Sequence, residues 1–439
     1  MPGVGIWRTK SVEQSIADTD EPSSRLRREL TAKDLTVFGV AVVVGAGIFT
    51  LTARTAGNVA GPSVSLAFVL AAIACGLAAL CYAEFASAVP VAGSAYTFSY
   101  ATFGEFVAWI IGWDLILEFA LASAVVAKGW SLYLGGMFGG ESSIDLGPIS
   151  VDWGALLIVG VLTVVLAIGT KISSRVSAVV TAIKVAVVLL VIVVGIFYID
   201  KAKYAPYVPE AEESAGTATG VHQSLFSALT GAGGSSYGWY GLLAAASLVF
   251  FAFIGFDVVA TTAEETKNPQ KALPRGILGS LAIVTVLYVG VTLVLTGMVK
   301  YTDLKTGSAL VGDGSATLAT AFEAHGVAWA QMAINIGTLF AFVLVCVGVM
   351  VLRRTRPDLP RGFRVPLVPL VPVLAVLACA WLMLNLSVET WIRFAAWMAL
   401  GVAIYFAYGR RKSVLGQRLE LEASRRDAEG TERREPEPV

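Results

Sequence analysis

FFAFIGFDVVATTAEETKNPQKALPRGI, residues 250–277, decides how this chain is read. An apolar run long enough to lie in a bilayer loses its helical pattern at Gly255 and holds an acid, Asp257, at membrane depth. Lipid offers no hydrogen bonds, so irregular backbone survives there only where protein or a water-filled cavity satisfies the freed N–H and C=O groups. A second interruption, Gly45-Ala46-Gly47, falls inside the first apolar run. Two interrupted spans in one chain are the pattern expected of a secondary transporter that binds its ligand near the bilayer midplane.

Composition points the same way. Of 439 residues, 56% are hydrophobic and 15% charged, whereas an average soluble domain is about 25% charged. Basic and acidic residues balance at 32 each, so no global field favours nucleic acid. The four cysteines, Cys75, Cys81, Cys346 and Cys379, lie in apolar runs without metal-like spacing and read as packing residues. No metal or cofactor is expected. The chain opens on a mostly polar tail, residues 1–34, and no cleavable signal is predicted.

Hydropathy predicts about ten spans, near 35–53, 64–89, 104–134, 154–170, 176–199, 242–262, 276–299, 327–352, 367–386 and 391–408. The chain thus divides into a cytoplasmic tail (1–34), a transmembrane domain (35–408) and a disordered tail (409–439). Basic residues cluster in alternate loops, among them Arg25, Lys33, Lys171, Lys267, Arg353 and Arg410, which places both termini inside a plasma membrane. The acidic, Gly/Ser-rich loop 200–240 is then external and is expected to be a flexible connection.

Charged residues inside spans cost roughly 2.5–3.5 kcal/mol each on insertion scales, so Asp114, Glu118, Lys184 and Asp257 must face protein or water. Asp114 and Glu118, four apart, share one face of the third span. Lys184 lies too deep to snorkel; with a carboxylate nearby it can take up and release a proton, or it can form a static Lys–Asp bridge that only locks helices. Lys128, near a span end, reads as a snorkelling residue. At the first break, Gly45 and Gly47 free the backbone and remove side chains that would block a ligand. The restarted half-helix then offers N–H groups to a carboxylate. Freed carbonyls of residues 250–254 suit an ammonium, and the two breaks together describe an α-amino acid. Close packing through small residues is the competing account of such glycines.

Several long motifs carry a resemblance. They are residues 35–49, YAEFASAVPVAGSAYTFSY (82–100), WDLILE (113–118) and FFAFIGFD with EETKNPQKALPRGI. In these the chain resembles the amino acid-polyamine-organocation superfamily, specifically the cationic amino acid transporters and their bacterial relatives. The resemblance implies an all-α five-plus-five inverted repeat with unwound first and sixth helices, and proton-coupled uptake or exchange of cationic or small neutral amino acids. It implies that Gly45, Ala46, Gly47 and Ile48 hold the substrate carboxylate and that Phe250, Phe253 and Ile254 hold the amine, with Phe253 also a gate. Glu118 matches an acid beside the pocket, or else a structural acid. Lys184 and Asp257 match the proton-coupling pair, and Glu84 matches either an inner-gate acid or a simple interfacial one. The partners implied are an amino acid, protons and lipid; protein partners are left open.

The motif order departs from the family in one place. HGVAWAQ (325–331) resembles the start of the family's eighth span, whereas residues 335–366 resemble its tenth span and following loop. Most of the eighth span and all of the ninth are therefore expected to be missing across a junction near 330–332. An alternative follows: a non-transporting deletion product, or a sensor that binds amino acids without cycling. An intramembrane enzyme is disfavoured, since the two histidines, His222 and His325, lie in or beside external segments without a catalytic motif.

Overall fold

The first helix, α1 (Ala32–Val43), begins at a reciprocal cap: Thr31 Oγ1 accepts from Asp34 N at 3.4 Å while Thr31 N donates to Asp34 Oδ2 at 2.8 Å. It stops after three consecutive valines. The chain resumes as a widened helical turn (Gly47–Leu51), a short helix (Thr52–Thr55) and a second widened turn (Ala56–Ala60) before α2 (Val64–Ala88). A computed structural model gives this architecture for residues 7–10, 29–45, 47–88, 91, 93–138, 143–145, 150–168, 174–213, 224–230, 235–311, 316–325 and 388–413, with isolated residues 14 and 417.

The remaining principal helices are α3 (Ser94–Thr102), α4 (Glu105–Phe138), α5 (Trp153–Ile168), α6 (Ser174–Gly195), α7 (Gly238–Phe250), α8 (Pro269–Met298) and α9 (Val388–Ile404). Five predicted spans have helices within about four residues of the expected bounds, namely α2, α4, α5, α6 and α9; α8 begins seven residues before the predicted start of its span, the sixth span is split between α7 and a short helix (Val258–Thr261), and the first begins in α1 but continues to Ala60. At 34 residues, α4 is about 50 Å long, more than a bilayer core needs. Among the described residues five segments are long and apolar enough to cross a membrane. The predicted spans 327–352 and 367–386, the junction near 330–332, Ala46, His222, Cys346, Cys379 and nearly all of the 409–439 tail lie outside the described residues.

Packing centres on α8, which runs along α1, α2 and α6. Small residues let α1 and α8 approach: a Cβ on Gly276 would strike Leu35, and one on Gly39 would strike Ser280. On the other side of the molecule α4 packs on α3, α5 and α9. Indoles zip α4 to α9: Trp109 Nε1 donates to Gly401 O at 2.9 Å and Trp113 Nε1 to Trp397 O at 3.0 Å, with the Trp113 and Trp397 rings stacked 4.7 Å apart. Cys75 packs in the apolar core, as its sequence context suggests.

The connections sort onto two opposite faces. One face joins residues 7–10, 29–31, 264–268 and 405–413; there Leu30 bridges Thr266 in parallel, and Lys267 N donates to Leu30 O at 2.8 Å. The opposite face carries two small antiparallel ladders. In the first, β1 (Ser143–Asp145) pairs with β2 (Ser150–Asp152); in the second, β3 (Glu212–Glu213) pairs with β4 (Ser235–Ser236). The expectation of a flexible 200–240 loop is corrected here for the parts described. Tyr237 is buried, its N–H donates to Val59 O at 2.6 Å and its hydroxyl to Gly57 O, because the widened turn that ends the first span needs donors that lipid cannot supply. Lys305 closes the rim with a 2.8 Å bridge to Glu212, a solvent-exposed pair whose loss in Lys305→Ala is expected to lower stability by no more than about 1 kcal/mol in thermal unfolding.

Candidate binding site at the paired helix breaks

Both interruptions read from the sequence are present and they abut. α1 ends at Val44, whose ψ of 88° leaves the helical region, and Val44 N closes the last turn on Val40 O at 2.9 Å. In the sixth span α7 passes through a tight turn (Phe251–Phe253), opens at Ile254 (φ −60°, ψ 136°) and Gly255, and restarts as a short helix (Val258–Thr261). The φ of +121° at Gly255 is a conformation that side-chain-bearing residues rarely adopt, and a Cβ there would meet Val42. The two broken segments touch at Gly47, where a Cβ would overlap the Ala252 backbone.

A helix end leaves carbonyls without intrahelical partners, and each must be satisfied in a site closed to lipid. Other helices reach in to do this. Lys184 Nζ on α6 donates to Ala41 O, and the lysine is 1% exposed. The Tyr288 hydroxyl on α8 lies 2.7 Å from Val43 O and 3.1 Å from Ala252 O, spanning one carbonyl of each broken helix. Tyr133 on α4 donates to Phe49 O at 2.7 Å, and Thr52 Oγ1 to Ile48 O at 2.6 Å. Three of these donors, Tyr288, Tyr133 and Thr52, were not singled out by the sequence reading. A phenol within an apolar run, as at Tyr288 in the seventh span, is the signal that could have found one of them, because a buried hydroxyl needs a partner. Tyr288→Phe leaves two freed carbonyls without this donor. It is expected to cost about 1–3 kcal/mol, read as lowered thermal stability with helix content retained.

The predicted site residues fall into separate groups. Gly47, Ile48, Phe253 and Ile254 meet at the breaks, Ile48 and Phe253 both fully buried. Phe253 is locked in an aromatic cluster, 6.0 Å from Phe68 and 5.2 Å from Tyr288 by ring centroids. Gly45 differs from Gly47. A Cβ on Gly45 would find only Val42 O and Val43 O, at 3.7 and 3.8 Å, ordinary van der Waals contacts among the described residues. Phe250 closes α7, half-buried, and Asp257, 8% exposed, begins the restarted helix. Asp114 and Glu118 remain half-buried on α4, and no hydrogen bond holds either among the described residues. Lys128 is exposed, as a snorkelling residue should be, and Glu84 lies half-buried near the end of α2, away from the breaks in sequence and on the terminal face. His325 packs on Tyr198 at 5.1 Å and its Nε2 lies 2.8 Å from Met298 O, a structural setting.

A mostly helical chain with several membrane-length helices, two of them broken and abutting, defines a multi-pass membrane protein of the transporter class. The chain belongs to the amino acid permease family: the family model for amino acid permeases matches residues 30–344, and that for the C-terminus of amino acid permeases matches residues 363–413. This family implies a LeuT-type fold, and it is a family of permeases, not enzymes. The chain is 34% identical to a methylthioribose transporter of Bacillus subtilis (strain 168) and 36% identical to the branched-chain amino acid permease BcaP of the same organism, each over 94% of this chain and 99% of the relative. It is also 36% identical to cationic amino acid transporter 4 of Mus musculus, over 76% of this chain and 49% of that protein. The two Bacillus alignments extend over 487 and 490 positions, yet 94% of 439 residues supplies only about 413, so about 75 positions in each fall opposite gaps in this chain.

Proposed function

We propose that this chain is an amino acid permease that holds a cationic or small neutral L-amino acid between its two helix breaks and couples its movement to protons. The carrying observation is the abutment of the breaks at Gly47 and Ala252, with the Tyr288 hydroxyl between them. N–H groups of the turn from Gly47 face the substrate carboxylate; carbonyls at Phe250, Phe253 and Ile254 face its amine. Gly45 and Ala46 complete the carboxylate turn, Glu118 lines the approach from α4, and Phe253 and Glu84 gate. Lys184 and Asp257 carry the proton, Lys184 exchanging its grip on Ala41 O as its charge changes. The relatives are named for branched-chain and cationic amino acids and methylthioribose, so substrate choice is the open variable. Both termini lie in the cytoplasm of a plasma-membrane protein, as the placement of basic loops favours.

A second reading rests on the gaps of about 75 positions. Motif order puts them at the eighth and ninth spans, which supply part of the frame that rocking needs. On that reading the chain binds but does not cycle. The experiment is uptake of labelled L-leucine, L-arginine and L-alanine into proteoliposomes, with and without an inward proton gradient, on monodisperse protein. Gradient-stimulated uptake of one of them supports the first reading. Binding in calorimetry without uptake supports the second, and absence of both from folded protein overturns the site.

A further inference from the structure

On the face that carries the termini, one carboxylate gathers four side chains from four segments. Glu105, 8% exposed at the start of α4, lies 3.3 Å from Arg8 in the N-terminal strap and 3.3 Å from the Tyr100 hydroxyl on α3. The Tyr405 hydroxyl just beyond α9 lies 3.3 Å away and Ser413 Oγ 2.5 Å away. The strap is also held by backbone: Lys10 N donates to Tyr100 O at 3.3 Å and Glu105 N to Arg8 O at 2.8 Å. Gly104, at φ +95°, allows the crossing, since a Cβ there would press on the Trp7 carbonyl at 2.9 Å, and Trp7 meets Phe106 edge-on. Burial and the neighbouring Glu105 raise the Tyr100 phenol above its ordinary range, so it remains a protonated donor.

We propose that Glu105 is the socket of a latch, in which the N-terminal strap and Ser413 together hold α3 against the sixth span and restrain opening on this face. The connection runs through aromatic side chains. Phe98 on α3 packs on Tyr82 at 6.2 Å and stacks on Phe85 at 5.5 Å; Tyr82 packs edge-on against Phe256, inside the second break, at 5.6 Å. α3 also contacts the restarted helix 258–261 directly. The latch is only partly satisfied, because Arg8 Nε is buried without a hydrogen-bond partner among the described residues. An ion so held gains from release into water, which suits a contact made and broken in a cycle.

Hydrogen exchange on the full chain in detergent or nanodiscs tests this without requiring transport. Ser413→Asp sets a second carboxylate against Glu105, and like charges there repel. The expected result is about tenfold faster exchange at the amides of Lys10 and Glu105 and also at Val258, Ala260 and Thr262, with residues 301–311 on the opposite face unchanged. Faster exchange confined to Lys10 and Glu105, or none at all, overturns the latch and leaves a static tail anchor. Should Ser413→Asp also loosen 301–311, Arg8→Ala decides, since its position lies in a tail outside the helical bundle. The same pattern at 258–262 then supports the proposal, and silence there refutes it.

Discussion

Replacing Gly45 with leucine is expected to abolish amino acid binding while the chain still folds. The two glycines of the first break look equivalent in sequence, but their surroundings differ. A Cβ on Gly47 would run into the Ala252 backbone, so Gly47→Leu must push the two broken segments apart and disturb the fold. At Gly45 the same atom meets only the carbonyls of Val42 and Val43 at ordinary contact distance, and the backbone there is not in the left-handed region. A Cβ at 45 thus meets only ordinary contacts among the described residues, and on the proposed site a leucine there would occupy the space given to the substrate carboxylate. Calorimetry should show affinity reduced by about a hundredfold or more, equivalent to about 2.8 kcal/mol, with thermal stability near that of the parent. Unchanged affinity in a folded Gly45→Leu protein would place the carboxylate elsewhere.

Lys184→Ala is expected to remove the response to a proton gradient while substrate exchange between the two sides of the membrane persists. The ammonium is buried and rests on the Ala41 carbonyl, the end of the first half-helix. A charged donor on a carbonyl contributes about 1.5–3 kcal/mol and a neutral one about 0.5–1.5 kcal/mol, so on the proposed coupling role loss of the lysine's proton would weaken its hold on the half-helix. The alanine variant fixes that grip in the released state. Counterflow of labelled substrate should continue, whereas an imposed gradient should add nothing. A variant still accelerated by the gradient refutes the coupling role; one that has lost counterflow and melts earlier points instead to a purely structural lysine.

Much of this architecture was legible because hydropathy and glycine act locally. Runs of apolar residues fix where helices can cross, and Gly45 and Gly255 mark where they break. What surrounds the breaks was less legible. Tyr288 is 245 positions from Val43, and Tyr133 is 84 from Phe49; no periodicity announces a donor that must cross the fold to reach a freed carbonyl. Lys184 was visible since a deep charge is expensive, though not its carbonyl partner. Tyr237 was hidden in a polar loop whose composition gave no hint of burial. The order of motifs along residues 325–366 pointed to an internal gap there, while the Bacillus alignments give only a total of about 75 positions opposite gaps in this chain.

The backbone pairing between residues 29–30 and 265–267 has a mechanical meaning. It ties the outer ends of the two broken helices by main-chain hydrogen bonds, independent of which side chains evolution places nearby. Neither half-helix can swing away alone: a displacement of α1 drags the segment 258–265 with it. A chain built so opens this face with both half-helices moving as one body, without an intermediate in which one has swung out and the other has stayed.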